Sequence, residues 1–241
     1  QQKVLDSLLV LTKDIHYDFT FFNGDCLPEP ANFRDAEKNI NKLACSVGAS
    51  EHPVFFIRGN HEIRNAYSPA MGRLLDYPGG NTYGAFSWGD TRFVVLDCGE
   101  DKPDTTWVYY GLNDFTAFRQ EQVGFLKTEL QSNAFRQARK HILFSHIPLY
   151  GSTDHYQPCP PLWCPLLAKA PFDVYLAAHI HQFKFFPPHS DVGNPFTEII
   201  GGGPHLKGGG AATVTVLTKR GSKLSAKVIS VTDGVIKEIE L

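Results

Sequence analysis

The stretch Val54-Phe-Phe-Ile57-Arg58-Gly59-Asn60-His61-Glu62 decides how this chain is read. A run of four apolar residues delivers, two residues later, three side chains able to hold a metal or move a proton. Three further short apolar runs end in a similar way. Phe19-Thr-Phe-Phe22 leads into Asn23-Gly24-Asp25, Ile142-Leu-Phe-Ser145 into His146, and Val174-Tyr-Leu-Ala-Ala178 into His179-Ile180-His181. Runs rich in Val, Ile and Phe without alternation mark strands buried on both faces. In open α/β sheets, ligands bind where the carboxyl ends of strands meet the following loops. Four such endings, far apart in sequence, therefore point to one site.

Working outward, the 241 residues suffice for one large domain spanning residues 1–241. A chain of this size buries roughly 75% of the surface its unfolded form exposes, so no second core is required. The formal net charge is -2 and the basic residues are scattered, without the footprint of a nucleic-acid binder. Apolar runs fall well short of the roughly 20 residues of a membrane span. The five cysteines, Cys26, Cys45, Cys98, Cys159 and Cys164, match no structural zinc spacing. Cys159 and Cys164 could close a small loop by a disulfide in an oxidising compartment, but two buried thiols are the expected reading. No charged n-region and apolar h-region mark a signal peptide, a pattern shared by mature and truncated chains. Periplasmic, secreted and cytoplasmic locations all stay open, as does the oligomeric state.

Organisation along the chain is α/β first and mostly β last. Val4, Leu5, Leu8, Leu9 and Leu11 fit one helix face, and Phe33 to Val47 a second helix. Thr82 to Trp88 and Arg92 to Leu96 read as strands joined at Gly89-Asp90, followed by a helix over Glu121 to Leu130. Strands are expected around Lys184 to Phe186 and Thr197 to Ile200. Ala212 to Leu217, Leu224 to Val231 and Val235 to Ile239 then form an antiparallel meander. Gly99 to Asp114 and Leu149 to Cys164 resist regular assignment, and long irregular loops in a compact domain often line binding sites.

The residue chemistry sharpens the strand endings. Asp25 follows a glycine, which permits a sharp exit from the strand and close approach of backbone to whatever the carboxylate binds. Taken alone, such an Asp is more often a turn or cap residue. Asn60 and His61 are adjacent and point different ways, so one can address a metal and the other a substrate. His179 and His181, at i and i+2 of an extended segment, would project to the same side and address neighbouring ions.

These motifs together resemble the calcineurin-like metallophosphoesterases, whose pattern runs Asp-x-His, Gly-Asp-x-x-Asp, Gly-Asn-His-Asp/Glu, a single His after a strand, then Gly-His-x-His. The likeness covers Phe19 to His181. It implies a four-layer α/β/β/α sandwich, two mixed sheets flanked by helices, and two divalent or trivalent ions such as Mn, Fe or Zn. By that resemblance Asp25 bridges both ions, Asn60, His146 and His179 complete one, and His181 serves the other. His61 is the general acid, oriented by Glu62. The implied reaction is hydrolysis of a phosphomonoester or phosphodiester by attack of a metal-bridging hydroxide. Arg64 and His155 are candidate substrate contacts, each with a plain surface residue as the alternative. Cys26 is assigned to packing.

Three departures from the family pattern stand out. Asp-x-His would lie upstream of Gln1, so the expectation is an N-terminally truncated catalytic domain in which one ion lacks two protein ligands. Pro28 stands where the family usually has Asp, and Ala178 replaces Gly before His179. Arg58-Gly-Asn-His-Glu62 is also similar to the protein Ser/Thr phosphatases, but their Gly-Asp-x-x-Asp-Arg-Gly is absent. The rival to an enzyme is a non-catalytic or mononuclear metal-binding protein.

Overall fold

The computed structural model describes residues 2–27 and 29–241, so the departure at Pro28 lies outside the described residues. In chain order the elements are α1 (Gln2–Thr12), β1 (Thr20–Asn23), α2 (Phe33–Ser46), β2 (Val54–Ile57), α3 (Met71–Leu74), β3 (Gly84–Trp88) and β4 (Thr91–Val95). There follow α4 (Phe115–Gln131), α5 (Asn133–Gln137), β5 (Lys140–Phe144), α6 (Pro160–Leu167), β6 (Val174–Ala177), β7 (Lys184–Phe186) and β8 (Thr197–Ile200). The meander β9 (Thr213–Arg220), β10 (Lys223–Ser230) and β11 (Gly234–Glu240) closes the chain. This is the α/β metallophosphatase fold that the resemblance implies, with mixed sheet and flanking helices.

A six-stranded sheet in the order β3-β4-β5-β6-β8-β7 forms the centre. Strands β4, β5, β6 and β8 run parallel, and β3 and β7 are antiparallel edges. Strands β6 and β8 are buried along their whole length, and β5 beyond its first residue; in β8 this takes in Thr197 and Glu198. Facing this sheet are the parallel pair β1-β2 and the antiparallel meander β11-β10-β9, as two separate pieces among the described residues. Strands β1 and β2 are consequently half-buried for most of their length. Here the expectation of burial on both faces fails, because a two-stranded ribbon leaves much of itself uncovered.

Aromatic packing joins the layers. Phe21 lies 4.5 Å from Phe144 and stacks on Phe55 at 4.9 Å, while Phe86 stacks on Phe93 at 4.9 Å. Phe93 and Phe144 are buried in the same cluster as Ile57, Leu176, Ile199 and Val228. Burial of one such side chain contributes about 1.5–3 kcal/mol, so this cluster outweighs the short ladders in holding the layers together. On the opposite face Leu126 of α4 and Trp163 and Leu167 of α6 pack with Leu143, Tyr175 and Ile200. Trp163 Nε1 donates to the Arg119 carbonyl at 3.1 Å, tying α6 to α4.

Several elements depart from the sequence expectation. Helix α4 begins at Phe115, where Asp114 accepts the Ala117 N–H at 3.2 Å and so caps it. Helix α6 occupies part of a segment expected to be irregular; two prolines in its first turn start it with the φ a helix needs. All five cysteines are free thiols, and Cys26 Sγ lies 3.3 Å from the Gly24 carbonyl.

Strand register brings the candidate residues together. Asn23 pairs with Ile57, so Gly24-Asp25 and Gly59-Asn60 leave the ribbon side by side. Phe144 pairs with Leu176, so His146 and His179 leave neighbouring strands. Across the layers Asn23 Nδ2 donates to the Ser145 and Leu176 carbonyls at 3.2 and 3.4 Å. That amide fastens the ribbon to the main sheet at the carboxyl ends of the strands.

Candidate metal centre

Asp25, His146 and His179 each contribute one ligand atom to a group in which all three lie within 4.8 Å of one another. The approach depends on glycine. At Gly24, with φ at +82°, a Cβ would fall 2.1 Å from His146 Nδ1, and at Gly59 one would fall 2.4 Å from Asp25 Oδ1. A larger residue at either position would occupy the space of a ligand.

His146 is held for a cation. Its Nδ1 lies 2.7 Å from the Asn23 carbonyl, an acceptor, so Nδ1 carries the hydrogen. Nε2 then points its lone pair at Asp25 Oδ2, 3.1 Å away, and is buried without a hydrogen-bond partner among the described residues. Two acceptors facing one another need a positive charge between them. In the metal-free chain a proton supplies it: burial alone would lower the His146 pKa, yet contact with Asp25 raises it above the ordinary histidine value. Asp25 moves the opposite way, held below the usual carboxylate range by His146 and the His61 N–H against the cost of burial. A metal-binding histidine with its second nitrogen on a backbone carbonyl is the arrangement that fixes tautomer and ring orientation.

Asn60 Oδ1 lies 3.1 Å from His179 Nδ1, which brings the fourth expected ligand to the same place. Burial, then the neighbouring charge of His146, pushes the His179 pKa down to about 4, so the imidazole is neutral as ligation requires. This donor set of carboxylate, amide oxygen and imidazoles fits a divalent ion of the Mn, Fe or Zn kind.

His181 does not enter the group through the geometry expected of it. His179 and His181 both have positive φ, +66° and +57°, and the Ile180 N–H bonds back to the Ala178 carbonyl at 2.7 Å. The chain turns tightly as soon as β6 ends, so the segment is not extended and the same-side argument fails. His181 is exposed.

Glu62 likewise has a different place. Its carboxylate accepts backbone N–H groups from Asp25, Leu27 and Gly59 at 2.9, 2.6 and 2.7 Å, and thereby binds the β1 and β2 loops to each other. It is committed to backbone rather than to the His61 ring. The neighbour of that ring is Arg64, whose Nη1 lies 3.3 Å from His61 Nδ1. A guanidinium can only donate, so Nδ1 is the acceptor and the hydrogen of the neutral ring sits on Nε2. Arg64 itself grips Glu100 in a two-point pair at 3.0 and 3.1 Å, with Asp101 at 3.4 Å. Its charge is matched by these carboxylates, and the same guanidinium sets the tautomer of the neutral His61 ring. His155 is exposed, and the residue turned toward the centre is the preceding Asp154, 3.3 Å from His179 Nε2. Sequence reasoning passed over Asn23 and Asp154, one inside the Asn-Gly-Asp motif and the other in a loop where histidine chemistry drew attention.

Comparison with known proteins agrees with the fold. The chain belongs to the calcineurin-like phosphoesterase family, whose model matches residues 2–183. A bovine relative named serine/threonine-protein phosphatase CPPED1 is 27% identical over 111 residues, covering 44% of this chain and 33% of that protein. The match thus spans about a third of the relative's length. The purple acid phosphatase PPD1 from yellow lupin seeds superposes with a TM-score of 0.65 at 13% identity, over 98% of this chain and 48% of that one. A dimetal phosphatase from Danio rerio gives 0.64 at 14% identity, over 98% and 87%.

Proposed function

We propose that the chain is a metal-dependent phosphoesterase acting on phosphomonoesters or phosphodiesters. The observation that carries this is the buried His146 Nε2 facing the Asp25 carboxylate at 3.1 Å, in a chain of this family. Asp25, Asn60, His146 and His179 would hold one ion, and His181 is assigned to a second. Bound cations supply positive charge to the phosphate oxygens and lower the pKa of a coordinated water.

The chain's own residues do the rest. Asn23 and Gly24 orient His146 and let it approach, while Glu62 holds the two ligand-bearing loops in register. As the imidazolium, with Glu29 Oε1 4.0 Å from its Nδ1, His61 donates the Nε2 proton to the departing alkoxide and is left neutral. Its backbone N–H donates to Asp25 Oδ1 at 2.9 Å, which ties the acid to the metal carboxylate. Because the bovine relative is named a serine/threonine-protein phosphatase, phosphoserine and phosphothreonine peptides are a substrate class to include.

The test is metal content measured beside hydrolysis of p-nitrophenyl phosphate, its bis ester and a phosphopeptide. His61→Ala is expected to keep its metal and lose about 10²–10⁴-fold in turnover. Asp25→Ala is expected to lose metal. A wild-type chain that holds two ions and cleaves none of the three esters overturns the reading.

A further inference from the structure

Asp154 stands outside every motif, yet its side chain and its loop are held in place beside the centre. Its Oδ2 lies 3.3 Å from His179 Nε2 and also accepts the Ser152 hydroxyl at 2.8 Å. The Ser152 Oγ in turn accepts the Asp154 N–H at 3.2 Å. Gln157 Nε2 donates to the Ser152 and Asp154 carbonyls at 3.3 and 2.8 Å. At the start of the turn Gly151, φ +61°, lies so close to β7 that a Cβ would meet Phe186 at 2.4 Å. Lys184 Nζ holds the Gly151 carbonyl at 3.2 Å. The loop is thus fixed from both ends with its carboxylate aimed at His179.

The His179 ring lies between two acceptors, Asn60 Oδ1 at 3.1 Å from Nδ1 and Asp154 Oδ2 at 3.3 Å from Nε2. A neutral imidazole has one N–H to give, and a carboxylate is a stronger acceptor than an amide oxygen. The hydrogen therefore belongs on Nε2, which leaves the Nδ1 lone pair facing the Asn60 oxygen. This repeats, with different atoms, the facing acceptors of His146 and Asp25.

We propose that Asp154 is a positioning residue which holds His179 in its Nε2–H tautomer and turns Nδ1 toward the metal. The inference rests on the metal-dependent reading above and assigns a carboxylate–histidine–metal relay that uses a loop residue of this chain. Outer carboxylates of this kind fix the ring and raise its basicity as a ligand.

Two measurements on the 241-residue chain test it. Nitrogen-15 correlation spectra of the metal-free protein, with His179 assigned by substitution, are expected to show Nε2 protonated and Nδ1 bare. In Asp154→Ala the two tautomers are expected to mix. Co(II) affinity, measured by competition with a chromophoric chelator, is expected to fall about 10–100-fold in Asp154→Ala. Asp154→Asn, whose amide oxygen accepts the same hydrogen bond, is expected to recover part of that loss. An Nδ1–H tautomer in the wild type, or unchanged Co(II) affinity in Asp154→Ala, overturns the proposal. A chain whose Co(II) affinity depends on Asp154 but which cleaves no ester supports the relay and removes the phosphoesterase reading. Ester cleavage with an Asp154-independent affinity does the reverse, and a wild type that takes up no Co(II) overturns both.

Discussion

Single side chains show how much the interior of this protein depends on where charge is allowed. Glu198, on β8, is fully buried and neither carboxylate oxygen has a hydrogen-bond partner among the described residues. Burial pushes its pKa up to about 8, against the opposing pull of the Tyr150 backbone N–H and the Lys184 ammonium. Between the ordinary glutamate value of 4.5 and about 8 the folded chain holds a proton that the unfolded chain has released. Stability therefore falls as pH rises through that window. Glu198→Gln removes the titration: it should match the wild type near about pH 5 and exceed it by about 2–4 kcal/mol above about pH 8. Urea denaturation at both pH values checks this, and equal slopes with pH in the two proteins would rule it out. At the same scale, Asp25 and His146 were legible in the sequence because residue type and preceding strand both pointed to ligation. Asp154 was not, since nothing in Ser-Thr-Asp-His says which side chain will face β6.

Elements are joined at the site by one carboxylate. Glu62 accepts three backbone N–H groups, two from the loop after β1 and one from the loop after β2. Each buried donor left without a partner costs about 1–3 kcal/mol, so Glu62→Ala should destabilise the fold by about 3 kcal/mol or more and release metal as the loops part. Chemical denaturation together with metal analysis would detect both effects; a stable variant with full metal content would show the loops to be held elsewhere. The strands themselves were legible from apolar runs, with β2, β7 and β8 falling on the expected residues. Less legible was their environment. Half-burial of β1 and β2 follows from their having one partner strand each among the described residues, and no run of four apolar residues encodes its number of neighbours. Helix α6 was hidden because Pro reads as a breaker: Pro160 and Pro161 fall in its first turn, but Pro165 stands inside it.

For the whole molecule, metal and proton compete for the gap between Asp25 and His146. The His146 pKa is raised in the folded, metal-free chain, so its stabilising contribution is complete below the ordinary value of 6.5 and is lost as pH rises through the folded value. A metal takes over as the proton leaves. The extra stability given by Zn(II) or Mn(II), taken as the difference between metal-loaded and chelator-treated protein at each pH, should be small near about pH 5.5. It should grow as pH rises through the folded value, to about 2.7 kcal/mol with metal at a hundredfold over its Kd. Taking that difference cancels the slope from Glu198. Thermal unfolding across the range reads the result, and a metal effect independent of pH would show that His146 is not the displaced proton's site.

What the sequence determined by itself is the chemistry available: apolar runs that must be strands, polar residues at their ends that can bind a cation, and glycines where backbone must come close. These follow from local preference and residue type, which the chain carries at each position. Only the tertiary structure decided which of those residues meet. Register between β1 and β2 and between β5 and β6 set Asp25, Asn60, His146 and His179 together. A tight turn took His181 out of the extended geometry, Glu62 was spent on backbone, and a loop folded back over β7 delivered Asp154. Apart from the local turn at His181, those outcomes depend on contacts between separate segments, from Glu62 with Asp25 to Asn23 with Ser145, and no short window of sequence contains them.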